Sequence, residues 1–209
     1  MPGTDSLLLF VLATLTLNVT PGPDMLYVIA RGARQGRAAG VVSALGIAAG
    51  CVVHTLLVTC GLAGLLLTAP AAFDLIKYVG AAYLVYLGVR ALTSRRRAEA
   101  DRQIADGGLG RVFLQGALTN LLNPKVALFF LAFLPQFVDH SRGPVALQIL
   151  LLGLLFNLLG TTVNVVVALV ASFAGGRLKS RVGASAALRW LTGGALIGLG
   201  VRLALLERR

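Results

Sequence analysis

The sequence predicts an all-α integral membrane protein of six transmembrane helices, built as two inverted three-helix repeats with the first and fourth helices broken. Three observations lead there. The 209 residues are 57% hydrophobic and 13% charged, whereas a soluble domain is nearer half apolar and a quarter charged, so the excess must face lipid. Two polar, helix-breaking clusters, Asn18-Val19-Thr20-Pro21-Gly22-Pro23-Asp24 and Asn120-Leu121-Leu122-Asn123-Pro124-Lys125, stand about half a chain apart in stretches apolar enough to enter a bilayer. Finally, one apolar stretch repeats late in the chain. Hydrocarbon cannot satisfy exposed backbone groups, so prolines with a carboxylate or an ammonium belong where protein or a water-filled cavity receives them. Paired interruptions of this kind point to a transport site.

Apolar segments run at about 6–30, 38–67, 69–93, 112–138, 144–174 and 185–206, each near or above the ~20 residues that cross a bilayer as a helix. Thr68, Pro70 and Asp74 mark a short turn between the second and third. The start, Met1-Pro2-Gly3-Thr4-Asp5, lacks the basic region of a secretory signal, and the first segment is expected to be retained as a helix. Cys51 and Cys60 both fall in the second segment, where their separation corresponds to ~13 Å of helix. That is too far for a bridge, and both read as packing residues.

The formal charge of +11 invites a nucleic-acid reading, which the placement of the cations argues against. Arg31, Arg34 and Arg37 follow the first segment; Arg95, Arg96, Arg97, Arg102 and Arg111 the third; Arg177, Lys179, Arg181 and Arg189 the fifth. The intervening connections carry only Asp74 with Lys77, and Asp139 with His140 and Arg142. By the positive-inside rule the three basic loops are cytoplasmic, so both termini are expected outside. The tail Glu207-Arg208-Arg209 departs from that rule.

Residues 77–90, from Lys77-Tyr78 to Leu87-Gly88-Val89-Arg90, lie over 189–202, from Arg189-Trp190 to Leu199-Gly200-Val201-Arg202, without a gap. Thr20-Pro21 likewise matches Asn123-Pro124. The chain is therefore expected to be one transmembrane domain, 1–209, with halves at about 1–93 and 112–209 around a basic cytoplasmic loop, 94–111. Three helices per half is an odd number, so the second half enters from the opposite side. Arg202 would then be inherited from the repeat unit.

Thr20 and Asn123 each precede a proline, which is a helix-start signature, and each broken segment is expected to restart there. A restarted helix offers unpaired N–H groups and a partial positive charge that suit a carboxylate. Lys125 opposes that dipole and calls for an anion, for which Asp24 is the obvious partner. The expected substrate-binding set is Thr20, Pro21, Gly22, Pro23, Asp24, Asn120, Asn123, Pro124 and Lys125. An amino acid would place its ammonium on Asp24 and its carboxylate on Lys125 and the helix starts. A permanent Asp24–Lys125 ion pair pinning the halves together is the bland alternative. Asn157 and Asn164 share a face of the fifth segment, as coupling contacts or as interhelical glue. His54 is either a proton shuttle or a packed, hydrogen-bonded histidine. The many glycines read as close helix contacts that would permit a homodimer.

Thr20-Pro21-Gly22-Pro23-Asp24, Gly36 and Gly40, Leu121-Leu122-Asn123-Pro124-Lys125-Val126-Ala127-Leu128-Phe129-Phe130 and Leu134-Pro135-Gln136-Phe137 together resemble the LysE/RhtB family of bacterial amino-acid exporters, over nearly the whole chain. The resemblance implies a multi-pass protein of the bacterial inner membrane, in contact with lipid, that exports amino acids from the cytoplasm by proton antiport. It marks Pro21, Gly22, Pro23, Asn123, Pro124 and Lys125 as motif positions. It leaves the substrate open; the scarcity of deep acidic residues other than Asp24 leans toward small neutral amino acids. No phosphate-binding loop is present, so an ion gradient is the expected energy source. No cofactor, metal, catalytic residue or nucleic-acid partner is expected. Divalent-metal or other small-solute export is the alternative within transport, although Cys51, His54 and Cys60 lack ligand spacing. An intramembrane enzyme acting on lipid would have Asp24 with His54 as its one candidate pair.

Overall fold

The computed structural model describes residues 3–68, 70–93, 108–174 and 186–205, and all regular structure among them is helical. Helix α1 spans Thr4–Val19, α2 Pro23–Thr68, α3 Pro70–Thr93, α4 Leu109–Leu121 and α5 Pro124–Leu128. A π-helical turn, Phe129–Phe133, and a 3-10 turn, Leu134–Phe137, extend α5. After a second 3-10 turn, His140–Arg142, come α6, Val145–Ala174, and α7, Ala186–Leu205. The basic stretch 94–107, the cations at 177–181 and the tail 206–209 lie outside the described residues.

Both expected breaks are present. The first separates α1 from α2, and the second bends Leu109–Leu121 against Pro124–Phe137 by 47°. The first and second apolar segments were expected to be separated by a loop containing Arg31, Arg34 and Arg37. They are separated, but at a single residue: Arg31 and Arg34 stay helical, helix resumes at Arg37, and only Gly36 leaves helical geometry, at φ 83° and ψ −172°. A positive φ of this kind favours glycine because it has no Cβ.

By length and composition two helices, Pro23–Gly61 and Val145–Phe173, can each cross a membrane, and the bent pair makes a third. The first of these is not straight. A Cβ on Gly40 would lie 3.0 Å from the Cα of Gly32, whereas eight residues of straight helix span ~12 Å. Val28 and Ala44, also symmetric about Gly36, share a buried cluster. The chain therefore doubles back at Gly36, and α2 is a hairpin with arms at 23–35 and 37–68.

Glycines set the packing between elements, and the order of their contacts gives the relative helix directions. Gly46 meets the Phe113 carbonyl and Gly50 the Ala117 carbonyl, so the second arm of α2 runs parallel to α4. Gly160 of α6 lies against the Asn18 side chain, and Gly32 against the Ala168 carbonyl, so the first arm of α2 and α1 follow α6 in parallel. Between α3 and α7, Gly88 meets Gly193 and Ile197, while Gly200 meets Ala81 and Val85. That order is antiparallel. The sequence overlay pairs Ala81 with Gly193, Val85 with Ile197 and Gly88 with Gly200, so exchanging α3 for α7 exchanges each contact for its partner.

The core is aromatic. Phe10 of α1 meets Phe137 at 5.2 Å between ring centroids, and Phe129 meets Phe156 of α6 at 4.7 Å. Phe130 and Phe133 complete the cluster, all within close aromatic contact distances. Outward faces carry Leu57, Leu122, Leu158, Phe173 and Trp190, which suits helices solvated by lipid. The connection before α6 is clipped by buried Gln148, whose amide accepts from Asp139 N and donates to the Asp139 and Gly143 carbonyls. Hydrogen bonds from Ser141 hold the exposed Asp139 carboxyl below its usual range.

A Cβ on Gly46 would sit 2.1 Å from the Phe113 carbonyl oxygen, whereas nothing lies within 4 Å of one on Gly61. Gly46→Ala should lower thermal stability in detergent by at least ~1–3 kcal/mol, the usual cost of overpacking. Gly61→Ala should leave the unfolding temperature unchanged or slightly raised.

Candidate transport site at the two helix breaks

Proline chemistry explains why the first break needs help from elsewhere. In a continuous helix the Leu17 carbonyl would accept from residue 21 and the Val19 carbonyl from residue 23, but Pro21 and Pro23 have no N–H. The chain ends α1 at Thr20, whose hydroxyl turns back to donate to the Thr16 carbonyl at 2.7 Å. Lys125 meets the first of these oxygens and the carbonyl of the capping residue. Its Nζ donates to the carbonyls of Leu17 and Thr20, each at 3.0 Å. A cation at a helix C-terminus is favourable, so the ammonium that opposes the dipole of its own helix is compensated by that of α1. Gly22 is needed beside it, since a Cβ there would lie 3.0 Å from Nζ.

The second break restarts as the sequence implies. Asn123 is the N-cap of α5, with Oδ1 accepting from Lys125 N at 3.0 Å and Pro124 at the first helical position. Thr20 does not play the matching part, which corrects the expectation of a restart there. It closes α1, and α2 begins at Pro23, with Gly22 supplying the first carbonyl to Leu26 N. The reason is the second proline: Pro23, with its fixed φ and missing N–H, takes the first helical position.

Asp24 stands in the first turn of α2, where a carboxylate complements the dipole. Its Oδ2 accepts from Asn120 Nδ2 at 2.8 Å. No ion pair joins Asp24 to Lys125 among the described residues, where Asp139 with Arg142 is the one pair found. The expected direct partnership is thus replaced by two contacts across the halves: Lys125 on the end of α1, and Asp24 on Asn120 in the last turn of α4. Pro124 also removes the helical donor to the Asn120 carbonyl, which instead accepts from Asn123 N at 2.9 Å, and His54 Nε2 lies 3.3 Å from the same oxygen. A carbonyl only accepts, so the hydrogen bond requires the proton on Nε2. His54 stacks on Phe130 at 5.8 Å.

Three buried polar atoms in this site have no partner at full hydrogen-bond distance, Asp24 Oδ1, Asn120 Oδ1 and Asn123 Nδ2, and the Asn123 amide lies near enough to the Asp24 carboxylate to act on it. Native interiors leave few such atoms, and each calls for an explanation. Two are acceptors and one is a donor. Two of the three ammonium hydrogens of Lys125 are engaged, which leaves a second donor.

Asn157 and Asn164 are not brought to the breaks. Asn157 donates to the Ala48 carbonyl at 3.2 Å and accepts from Thr161, an interhelical tie. Asn164 is buried on α6 with no hydrogen bond to the breaks. Among the described residues no three His, Cys, Asp or Glu side chains gather as metal ligands. Cys51 is buried and Cys60 exposed, both as free thiols.

Arg31 was grouped with the basic loops, yet it is 1% exposed. Its Nε meets the Tyr27 hydroxyl at 3.2 Å, Nη1 donates to Gln35 at 2.9 Å, and Nη2 donates to Gln115 of α4. Tyr27 in turn donates to the Val112 carbonyl at 2.8 Å. The available signal was spacing: Asp24, Tyr27 and Arg31 fall at helical intervals on one face.

Asn123→Ala should destabilise the protein by ~1 kcal/mol through loss of the N-cap. Asn123→Ser should retain most of that stability, as read by thermal unfolding in detergent.

The chain matches the family described as LysE type translocator over residues 15–207. It is 36% identical over 205 residues to an uncharacterized membrane protein of Pseudomonas aeruginosa, covering 93% of each chain. To a leucine efflux protein of Salmonella typhimurium it is 30% identical over 161 residues, 75% of this chain and 71% of the relative. An uncharacterized membrane protein of Bacillus subtilis is 28% identical over 209 residues, 96% of this chain and 99% of the relative. No solved structure matches. With its two proline-marked breaks meeting in one buried polar site, this multi-pass membrane protein belongs to the LysE type translocator family.

Proposed function

We propose that this protein is a secondary exporter of small neutral amino acids, moving them out of the cytoplasm through the bacterial inner membrane by proton antiport. The unpartnered atoms at the breaks carry the reading. Asp24 Oδ1 and Asn120 Oδ1 suit an ammonium, while Asn123 Nδ2 and the remaining N–H of Lys125 suit a carboxylate. A zwitterion would satisfy all of them at full hydrogen-bond distance, whereas without one the Asn123 amide and the Asp24 carboxylate have only their longer mutual contact. The relative named as a leucine efflux protein supports a neutral side chain.

The architecture assigned to this function is six spans in two inverted halves. The doubling back at Gly36 supports it, because it divides the long second helix into the end of one span and the whole of the next. The reciprocal, antiparallel contacts of α3 and α7 support it too, since a parallel repeat would align the matched helices. The basic loops would face the cytoplasm.

Antiport follows from sharing one carboxylate. Asp24 cannot hold a proton and a substrate ammonium together, so each outward passage of substrate is exchanged for an inward proton. In this reading His54, within electrostatic reach of Asp24, is the candidate to exchange protons with that carboxylate.

Cells preloaded with radiolabelled leucine should lose it faster when expressing the protein than with an empty vector. Asp24→Asn, inserted normally, should slow that efflux by roughly tenfold or more, the scale of one charge-assisted hydrogen bond. Asn123→Ser should reduce efflux while keeping the fold, because it retains the cap and deletes the amide donor. Efflux by both variants at the wild-type rate would remove the site from transport.

A further inference from the structure

We propose that Arg31, Tyr27 and Gln115 form a polar latch that closes the site toward the face of the basic loops and must break for the site to open there. The proposal rests on the transport reading above. Two contact layers join the first arm of α2 to α4. One is Asp24 with Asn120 at the site. The other is Arg31 and Tyr27 with Gln115 and the Val112 carbonyl. Arg31 lies seven residues beyond Asp24, ~10 Å along the helix, and Gln115 five residues before Asn120, ~7 Å. Both displacements lead toward Gly36 and the start of α4, the ends of these helices that adjoin the basic stretches.

The latch joins the two halves, since Arg31 and Tyr27 belong to the first and Gln115 and Val112 to the second. Beyond the second break the closure is of another kind: Phe10, Phe129, Phe133 and Phe137 pack ring on ring with almost no exposure. Opening the aromatic side exposes apolar surface to water. Opening the latch exchanges protein hydrogen bonds for hydrogen bonds to water, a nearly balanced exchange. The guanidinium keeps its charge throughout, so a substrate carboxylate entering from that face can replace the Gln115 amide oxygen as its acceptor.

Cys51 reports on the latch because it is buried within electrostatic reach of Asp24, while Cys60 is exposed and can be removed as Cys60→Ser. The test is the rate at which a membrane-impermeant maleimide labels Cys51 in membrane vesicles of either orientation. In inside-out vesicles Gln115→Leu should speed labelling about tenfold, and Gln115→Glu, which adds charge to the bond, should slow it below the Cys60→Ser parent. In right-side-out vesicles neither change should raise the rate. Labelling that is unchanged by Gln115→Leu, or raised equally from both faces, overturns the latch. The assay needs neither substrate nor gradient. An absence of leucine export would therefore count against the transport reading alone, and an unchanged labelling pattern against the latch alone.

Discussion

Lys125 donating to the Leu17 and Thr20 carbonyls is the interaction on which the rest of this structure depends. Two prolines in the first break leave backbone oxygens without donors in a setting where lipid offers none. The donor comes from the other half of the chain, and the halves are thereby joined at their weakest point. Asp24 does the converse, resting on Asn120 at the end of the other half's broken helix. Each break is stabilised by a charged or polar group of the opposite half.

That exchange explains why the site has unpartnered atoms. A direct Asp24–Lys125 pair would neutralise both charges and leave nothing to recruit a ligand. Because the hydrogen bonds of each charge go to helix-end groups, one carboxylate oxygen and two amide atoms are left without a partner at full hydrogen-bond distance. Buried groups in that condition are costly unless something binds them. The glycines serve the same end by letting neighbouring helices approach closely enough to fix these side chains; a Cβ on Gly50 would lie 3.1 Å from Asn120 Oδ1.

Much of this was legible in the sequence, and the exceptions have physical causes. Both breaks and the extents of α6 and α7 could be read from apolar runs and prolines, whereas Asp74, expected in the turn after Thr68, lies within α3. The overlay of 77–90 on 189–202 foreshadowed reciprocal helix contacts. Thr20 misled because the rule for a polar residue before proline applies equally to Gly22 before Pro23, and only the backbone decides which proline opens the helix. Arg31 misled because a cation at the edge of an apolar run resembles a loop residue until the helix is known to continue to Gly36. Asp24 and Lys125 act on each other without a direct ion pair, because charge complementarity alone ignores the carbonyls at a helix end, which compete for an ammonium.

If the two breaks form one site for a free amino acid, they hold its ammonium and its carboxylate together. The most direct measurement is the thermal stability of the purified protein in detergent with leucine, N-acetyl-leucine or leucine methyl ester, compared at equal concentration. Leucine alone should raise the unfolding temperature, because each derivative removes one of the two charges the site would receive. An equal rise with either derivative, or none with any neutral amino acid, would contradict it.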